Sequence, residues 1–161
     1  MSKYDHVILI HGLEGSSQGF KAQYLREILP GILTPDFPGT LGERMEKLRG
    51  ILEARDDWVI IGSSFGGLMG ALYTCAHPEK VRKLILLAPA LLWPDFSVNP
   101  PAVVDVPTMV YHGMRDELLP IDEVRRLAER TFNNLIFHEV DDIHKLHETV
   151  KTIDWREIIE T

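Results

Sequence analysis

The chain contains a single cysteine, Cys75, so no disulfide bond can form within it. A disulfide-stapled fold is excluded, and Cys75 is expected on the buried side of a helix as a small apolar residue. The amino terminus also lacks a long apolar run, because it leads into only four consecutive apolar residues, Val7 to Ile10. Such a run is too short for the core of a signal peptide or for a membrane span. We therefore expect a cytoplasmic location and no membrane partner.

The chain also has no excess of basic residues. The chain has 17 lysine and arginine residues against 24 aspartate and glutamate residues, which gives a formal net charge of −7. A nucleic-acid-binding protein needs a basic face to neutralise phosphates, so no nucleic acid is expected as a partner. The remaining composition, with 45% hydrophobic and 25% charged residues in 161 positions, is typical of one globular domain, 1–161, with its own core.

One stretch, at positions 57–70, carries the clearest pattern in the chain. Val59 to Ile61 is a short β-branched run, typical of a strand buried on both faces, and a helix-like segment rich in small residues follows from Phe65 to Ala76. Between them, residues 62–66 fit the pattern Gly-x-Ser-x-Gly. The flanking glycines allow a very tight turn, because side chains at those positions would clash with the neighbouring strand and helix.

This turn would place the Ser64 hydroxyl at the carboxyl end of the sheet and at the amino end of a helix. Free N–H groups and the helix dipole favour developing negative charge at such a place. The arrangement is the nucleophile elbow of acyl-transfer hydrolases. The alternative is a glycine-rich turn whose serine only caps the helix. The additional Gly67 favours the elbow, and Ser63 is expected to point away from its tip.

Apolar periodicity divides the rest of the chain into alternating strands and helices. Such alternation predicts parallel βαβ units with right-handed crossovers and a sheet covered on both faces. The expected architecture is α/β, a three-layer α/β/α sandwich around a mostly parallel six-stranded sheet. Strands are predicted at 6–10, 32–35, 59–61, 84–87, 108–111 and 135–140, and helices at 19–29, 42–54, 65–76, 120–131 and 145–160. The charged residues of the helix at 42–54, Arg44 among them, are expected on a solvated face.

The candidate functional residues all follow predicted strand ends. In open parallel sheets, ligands bind at the carboxyl ends of the strands. Leu13, Ser64, Asp116 and His144 each follow a different strand, so they are expected at the same edge of the sheet.

At this point the chain resembles a small member of the α/β-hydrolase superfamily. The resemblance rests on His-Gly at 11–12, Asp-Phe-Pro-Gly at 36–39, Gly-Ser-Ser-Phe-Gly at 62–66, His-Gly-x-x-Asp at 112–116 and His144. It implies that Ser64 is the nucleophile, Asp116 the orienting acid and His144 the general base. It also implies that the chain lacks the first two strands of the family sheet and its cap, or lid.

The chemistry of these residue types agrees with those roles. A serine hydroxyl becomes a good nucleophile when a neutral imidazole takes its proton, and a carboxylate on the other ring nitrogen fixes the tautomer. Two fixed donors must stabilise the oxyanion, and the backbone N–H groups of Leu13 and Phe65 are expected there. No cofactor is implied, because these groups suffice for acyl transfer.

Alternatives remain for the base and the acid. His147 lies one helical turn after His144 and could face the same way, and Glu117 or Asp122 could supply the carboxylate. A metal pair of His144 and His147 is not favoured, because no third ligand is evident. Three other residues are expected in structural roles, namely His11, His112 and the turn residue Asp36.

The segment at 88–107, where lidded relatives insert a helical cap, has only 20 residues. Leu91, Leu92 and Trp93 in this segment are expected to form a low wall beside Ser64 that contacts the substrate, or simply to cover the sheet edge. A shallow, open site favours small or extended substrates over long lipids.

The expected function is that of a serine hydrolase that cleaves carboxylic esters or thioesters through an acyl-enzyme intermediate. Its partner is then a small-molecule acyl substrate. An amidase or peptidase with the same residues, and a noncatalytic binding protein on a hydrolase scaffold, are the alternatives. The sequence carries no signal for the acyl group, the leaving group or the oligomeric state.

Overall fold

Five parallel β-strands form one sheet in the part of the chain that the computed structural model describes, residues 2–161. They are β1 (Val7–Ile10), β2 (Trp58–Ser63), β3 (Val81–Leu87), β4 (Thr108–Gly113) and β5 (Leu135–Val140). Each strand pairs with the next one in the chain. β1 and β2 are buried along their whole length, because helices cover both faces of the sheet. The predicted α/β fold with a parallel sheet is confirmed.

The predicted count of six strands is wrong by one. Residues 32–35, expected as a strand, form only an isolated bridge, in which Leu33 pairs with Ile8. Leu33 exchanges two backbone hydrogen bonds of 2.9 Å with β1. Two residues further on, Pro35 has no backbone N–H to donate to the ladder, so the pairing cannot continue.

Seven α-helices connect and flank these strands within residues 2–161. They are α1 (Phe20–Ile28), α2 (Leu41–Leu52), α3 (Phe65–Ala76), α4 (Pro94–Ser97), α5 (Ile121–Thr131), α6 (His147–Thr152) and α7 (Trp155–Glu160). Between β3 and β4, where a cap would be inserted, the chain forms only the short α4. No helix in the described range is long and apolar enough to span a lipid bilayer.

The single helix predicted at 145–160 is divided into α6 and α7. Ile153 is extended, with φ −71° and ψ 131°, and the Asp154 side chain accepts a hydrogen bond of 3.2 Å from Glu157 N. An aspartate that caps a new helix competes with continuation of the preceding one.

Two hydrophobic clusters flank the sheet and define three layers. Leu48 of α2, Leu68 of α3 and Leu127 of α5 pack on one face. Leu25 of α1 and Trp155 of α7 pack on the other face, together with α6. The expected three-layer sandwich is therefore present. Cys75 is buried in the first cluster, and burial raises the pKa of its thiol to about 12.

The close approach of α3 to the sheet depends on glycine. A Cβ atom added to Gly66 would lie 2.0 Å from the carbonyl oxygen of Ile10, and one added to Gly62 would lie 2.5 Å from the carbonyl oxygen of Gly66. Neither backbone contact can give way without moving a strand or the helix. Gly50, on the exposed face of α2, has no atom within 4 Å of such a Cβ.

We predict opposite effects for two glycine-to-alanine changes in helices. Gly66→Ala should lower the free energy of unfolding by on the order of 3 kcal/mol or more, because α3 must move away from β1. Gly50→Ala should raise it by about 0.5–1 kcal/mol through helix propensity alone. Urea unfolding followed by circular dichroism measures both, and similar stabilities of the two variants would contradict the packing described.

Asp142 ties the loop after β5 to α6. One carboxylate oxygen accepts hydrogen bonds from Thr149 N at 3.0 Å and Thr149 Oγ1 at 2.8 Å, and the other accepts one from Ile143 N at 2.7 Å. Burial alone would raise the pKa of this carboxyl, but the three donors outweigh burial and lower it. The ionised form is therefore favoured in the folded state.

A carboxyl group with a lowered pKa stabilises the fold above its unfolded pKa, and this stability is lost as the pH falls through the folded pKa. Asp142→Asn should therefore lower the free energy of unfolding by about 1–3 kcal/mol at pH 7. The difference from wild type should begin to shrink below about pH 4, where the carboxyl of the unfolded chain becomes protonated, and should continue to shrink through the lower pKa of the folded state.

Asp141→Asn is the matched control, because Asp141 is exposed and pairs only with Arg115. Its unfolding free energy should stay close to that of wild type at every pH. An Asp142→Asn deficit that is independent of pH would contradict the assignment of an ionised, hydrogen-bonded carboxylate.

Candidate active site

Loops meet at the carboxyl edge of the sheet, because all five strands run in the same direction. The loop after β1 carries Leu13, the turn after β2 carries Ser64, the loop after β4 carries Asp116, and the loop after β5 carries His144. Each residue comes from a different part of the chain, and the parallel sheet brings them to one place.

A line of hydrogen bonds joins three of these side chains. Ser64 Oγ lies 3.0 Å from His144 Nε2, and His144 Nδ1 lies 2.7 Å from Asp116 Oδ2. A carboxylate can only accept, so His144 Nδ1 carries the proton and Nε2 presents its lone pair to the serine hydroxyl. The Asp116 side chain is fully buried and that of His144 is 20% exposed, so only the serine end of the line is open to solvent.

Asp116 is held in place by its own loop. Its second carboxylate oxygen accepts hydrogen bonds of 2.9 Å from the backbone N–H groups of Leu118 and Leu119. His112 Nε2 lies 3.3 Å from the first oxygen and donates to Leu119 O at 2.8 Å. Burial lowers the pKa of His112, so this ring is a neutral donor, in keeping with the structural role expected for it.

Within residues 2–161, the alternative acids and the alternative base make no hydrogen bond with the side chain of Ser64 or His144. Glu117 and Asp122 are exposed, and the carboxylate that contacts the His144 ring is that of Asp116. His147 is the first residue of α6, and its ring packs against the ring of Phe20, with centroids 4.4 Å apart. Within residues 2–161, no group of three or more His, Cys, Asp or Glu side chains is arranged to hold a metal ion.

The backbone of Ser64 is strained. Its φ of 55° and ψ of −114° fall in a region that costs a residue with a side chain about 1–3 kcal/mol. Four hydrogen bonds hold it there: Ser64 N donates to Leu87 O at 2.9 Å, and Ser64 O accepts from the N–H groups of Gly67, Leu68 and Ala90 at 2.9–3.2 Å. This is the sharp strand-to-helix turn that the glycine pattern predicts.

The backbone N–H groups of Leu13 and Phe65 lie near Ser64. Neither Leu13 N nor Phe65 N donates a hydrogen bond within residues 2–161. Phe65 directly follows the serine, and the loop that carries Leu13 lies against it, since a Cβ added to Gly12 would be 3.4 Å from Ser64 Cβ. Both groups are thus available to a ligand.

His11 and Asp36 hold this loop. His11 Nδ1 donates to Gly12 O at 2.7 Å, and Phe37 N donates to His11 Nε2 at 2.9 Å. Asp36 accepts from Ser17 N at 2.7 Å and Ser17 Oγ at 3.0 Å. These contacts link the loop after β1 to the turn before α2, consistent with the structural roles expected for both residues.

Arg44 is buried at 6% exposure, so its predicted place on a solvated face is wrong. Its Nε donates to Gly39 O at 2.9 Å, its Nη2 lies 3.4 Å from Leu13 O, and its guanidinium lies 5.3 Å from the ring centroid of Phe65. No carboxylate pairs with it within residues 2–161, and its Nη1 has no partner. Nothing in the helical pattern of 42–54 distinguishes Arg44 from its charged neighbours.

A cavity of about 690 Å³ opens beside Ser64. The loop after β1 and the first turn of α1 form most of its wall. The remaining lining residues are Leu9, Ser63, Ser64, Leu118, His144, Lys145 and His147. Three of its apolar side chains are partly exposed to solvent, namely Leu13, Phe20 and Leu118.

The predicted wall at Leu91, Leu92 and Trp93 does not line this cavity. Leu91 is completely buried in the core, and Leu92 packs against the same cluster. Trp93 is 42% exposed and lies edge-on to the Phe65 ring, with centroids 5.1 Å apart. The short connection between β3 and β4 turns Leu91 and Leu92 inward onto the sheet, so the alternative interpretation, that the segment covers the sheet edge, describes their packing better.

The chain is similar in sequence to known proteins over part of its length. A family model described as alpha/beta hydrolase fold matches residues 43–105. A rice protein (Oryza sativa subsp. japonica), named "Probable 1-acylglycerol-3-phosphate O-acyltransferase", is 31% identical over 106 residues, which are 52% of this chain. The chain spans only 25% of the length of that relative.

Solved structures match over nearly the whole chain. A protein assigned to the alpha/beta hydrolase superfamily from Xanthomonas campestris pv. campestris is 28% identical, with a TM-score of 0.75 over 94% of this chain and 92% of that chain. Alpha/beta hydrolase domain-containing protein 10 from mouse has a TM-score of 0.77 at 18% identity, over 100% of this chain and 92% of that chain. The family model, the sheet topology and these neighbours together show that the chain has the alpha/beta hydrolase fold.

Proposed function

We propose that the chain is a serine hydrolase that cleaves carboxylic esters or thioesters through an acyl-enzyme intermediate. The observation that carries the proposal is the hydrogen-bonded line from Ser64 Oγ through His144 to Asp116, with contacts of 3.0 Å and 2.7 Å. Both distances lie within hydrogen-bond range, and the first allows the serine proton to pass to His144 Nε2.

In the proposed reaction, Ser64 Oγ attacks the acyl carbon while its proton passes to His144 Nε2. The tetrahedral intermediate collapses, the bond to the leaving group breaks, and His144 returns the proton to the departing oxygen or sulfur. Water then attacks the acyl-serine with His144 again as base, which releases the acid and restores the hydroxyl. Asp116 remains ionised and stabilises the imidazolium that forms in each half of the reaction.

The oxyanion in this mechanism is stabilised by Leu13 N and Phe65 N, neither of which has an acceptor within residues 2–161. Phe65 is the first residue of α3, so the positive end of the helix dipole adds to the effect. The unpaired Arg44 guanidinium contacts both of these residues and contributes a permanent positive charge behind them. Fixed charges of this kind act strongly where water is excluded.

A noncatalytic binding protein is the less favoured alternative. Holding Ser64 in a strained conformation and burying a carboxylate beneath a histidine both cost stability. A binding site needs neither feature, whereas a nucleophile needs both. The same residues could cleave amides, and the open cavity offers no feature that selects amides over the more reactive esters.

The proposal predicts that Ser64→Ala abolishes hydrolysis of p-nitrophenyl butyrate while the protein stays folded. The rate constant kcat should fall by about 10⁴-fold or more, because no nucleophile remains. Asp116→Asn should lower kcat by about 10³–10⁴-fold, because an amide stabilises the wrong tautomer of His144.

Ser63→Ala is the matched control for the serine change, and it should keep most of the activity. Thermal melts of all three variants check that each is folded. Hydrolysis by a folded Ser64→Ala protein at more than about one hundredth of the wild-type rate would exclude the acyl-serine mechanism.

A further inference from the structure

The cavity beside Ser64 has an unusual charge distribution for a chain with a net charge of −7. Two lysines line it, Lys21 in the first turn of α1 and Lys145 in the loop that carries His144. One acidic residue, Glu14, also lines the cavity, and its side chain is exposed. The acidic and basic side chains that line this cavity are therefore mainly cationic.

These two lysines also differ from the others in their contacts. The chain has seven lysines, and five of them bond to a carboxylate or to a backbone carbonyl of the described chain, namely Lys3, Lys47, Lys80, Lys83 and Lys151. Within residues 2–161, Lys21 and Lys145 have no such partner. The unpaired ammonium groups thus coincide with the cavity.

Lys21 carries the larger energetic cost, because it is partly buried. Burial first, and the nearby charge of Lys145 second, lower the pKa of Lys21 to about 8, and Asp142 partly opposes the shift. The Asp142 carboxylate already accepts three hydrogen bonds from Ile143 and Thr149, so it is not available as a counter-ion. A bound anion would remove the cost of an unpaired, desolvated ammonium.

We propose that Lys21 and Lys145 form a subsite for a carboxylate or phosphate group of the substrate, so that the preferred esters are anionic. The proposal rests on the proposed function, since the subsite shares a cavity with Ser64. The exposed apolar side chains of Leu13, Phe20 and Leu118 would contact the uncharged part of such a substrate. The substrate class is then a small ester with one apolar part and one anionic part.

The other titratable groups around Lys21 do not supply the missing negative charge. From the loop after β1 they are His11 and Glu14, from the loop after β5 His144 and Asp142, and from α6 His147. Burial and the two lysines lower the pKa of His147, so at neutral pH it is an uncharged neighbour. Lys21 is therefore the group whose titration near pH 8 should control anion binding.

Matched pairs of esters test this subsite. Mono-p-nitrophenyl adipate and p-nitrophenyl hexanoate share a leaving group and chain length but differ by a carboxylate on the acyl side. The ion 4-acetoxybenzoate and its methyl ester differ by a carboxylate on the alcohol side. In at least one of these pairs the carboxylate should reach Lys21 and Lys145. For that pair, the kcat/KM of wild type should be roughly tenfold higher for the anionic ester than for the neutral one.

Three variants test whether the charge of Lys21 causes the preference for the anionic ester. Lys21→Met should remove most of it, so that kcat/KM for the anionic ester falls close to that for its neutral partner. Lys21→Arg should keep it, because arginine retains its charge. Lys80→Met, which removes a lysine paired with Asp56 away from the cavity, should change neither value and so controls for net charge.

The pH dependence gives an independent readout. The wild-type preference should decline as the pH rises through about 8, because Lys21 loses its proton there. In Lys21→Arg, the preference should persist to pH 9. A preference that is insensitive to both pH and the Lys21→Met change would overturn the subsite.

Failure of the subsite and failure of the proposed function are distinguishable. Hydrolysis of neutral and anionic esters at equal rates would reject the subsite and leave the hydrolase proposal standing. If no ester is cleaved, calorimetric titration of Ser64→Ala with adipate and with inorganic phosphate still tests the lysines. Binding that the added Lys21→Met change weakens roughly tenfold supports the subsite, and binding that is absent or unaffected by this change rejects it.

Discussion

Ser64 has a left-handed backbone conformation, with φ at 55°, that a residue with a side chain adopts only when its surroundings impose it. The hydrogen bond from Ser64 N to Leu87 O pulls the turn toward β3, and Gly62 and Gly66 let α3 begin in contact with β1 and β2. Packing of the sheet and helix offsets the strain of this one residue. The Ser64 hydroxyl is therefore fixed at the start of α3, where His144 contacts it.

Those other groups arrive on loops that are short and individually tied down. Asp142 binds the His144 loop to α6, His11 links the Leu13 loop to the turn at Phe37, and Asp116 is bonded to the backbone of its own loop. A site without a cap cannot rely on closure to order its groups. Here hydrogen bonds within the protein already hold the donors and acceptors in place, which is the preorganisation that the proposed catalysis requires.

Patterns in the sequence located the parallel sheet, the turn at Ser64 and the side chains of Asp116 and His144, because strand periodicity and glycine spacing are local signals. Features set by contacts between distant segments were missed. Pro35 reduces a strand to a bridge, and Asp154 divides a helix whose apolar period continues into Trp155. Arg44 and Lys21 look like ordinary helix-surface charges until the loop after β1 is placed over them, and Leu91 becomes a core residue because its connection is short.

The central claim is that His144 activates Ser64 as a nucleophile, and phosphonylation tests it most directly. Wild type and His144→Ala would be treated with a fluorophosphonate probe, digested, and mapped by mass spectrometry. One phosphonyl group on Ser64 of the wild type, with labelling of His144→Ala slower by about a thousandfold, is the predicted result. A folded wild type that is not labelled, or that is labelled at another residue, would contradict the claim.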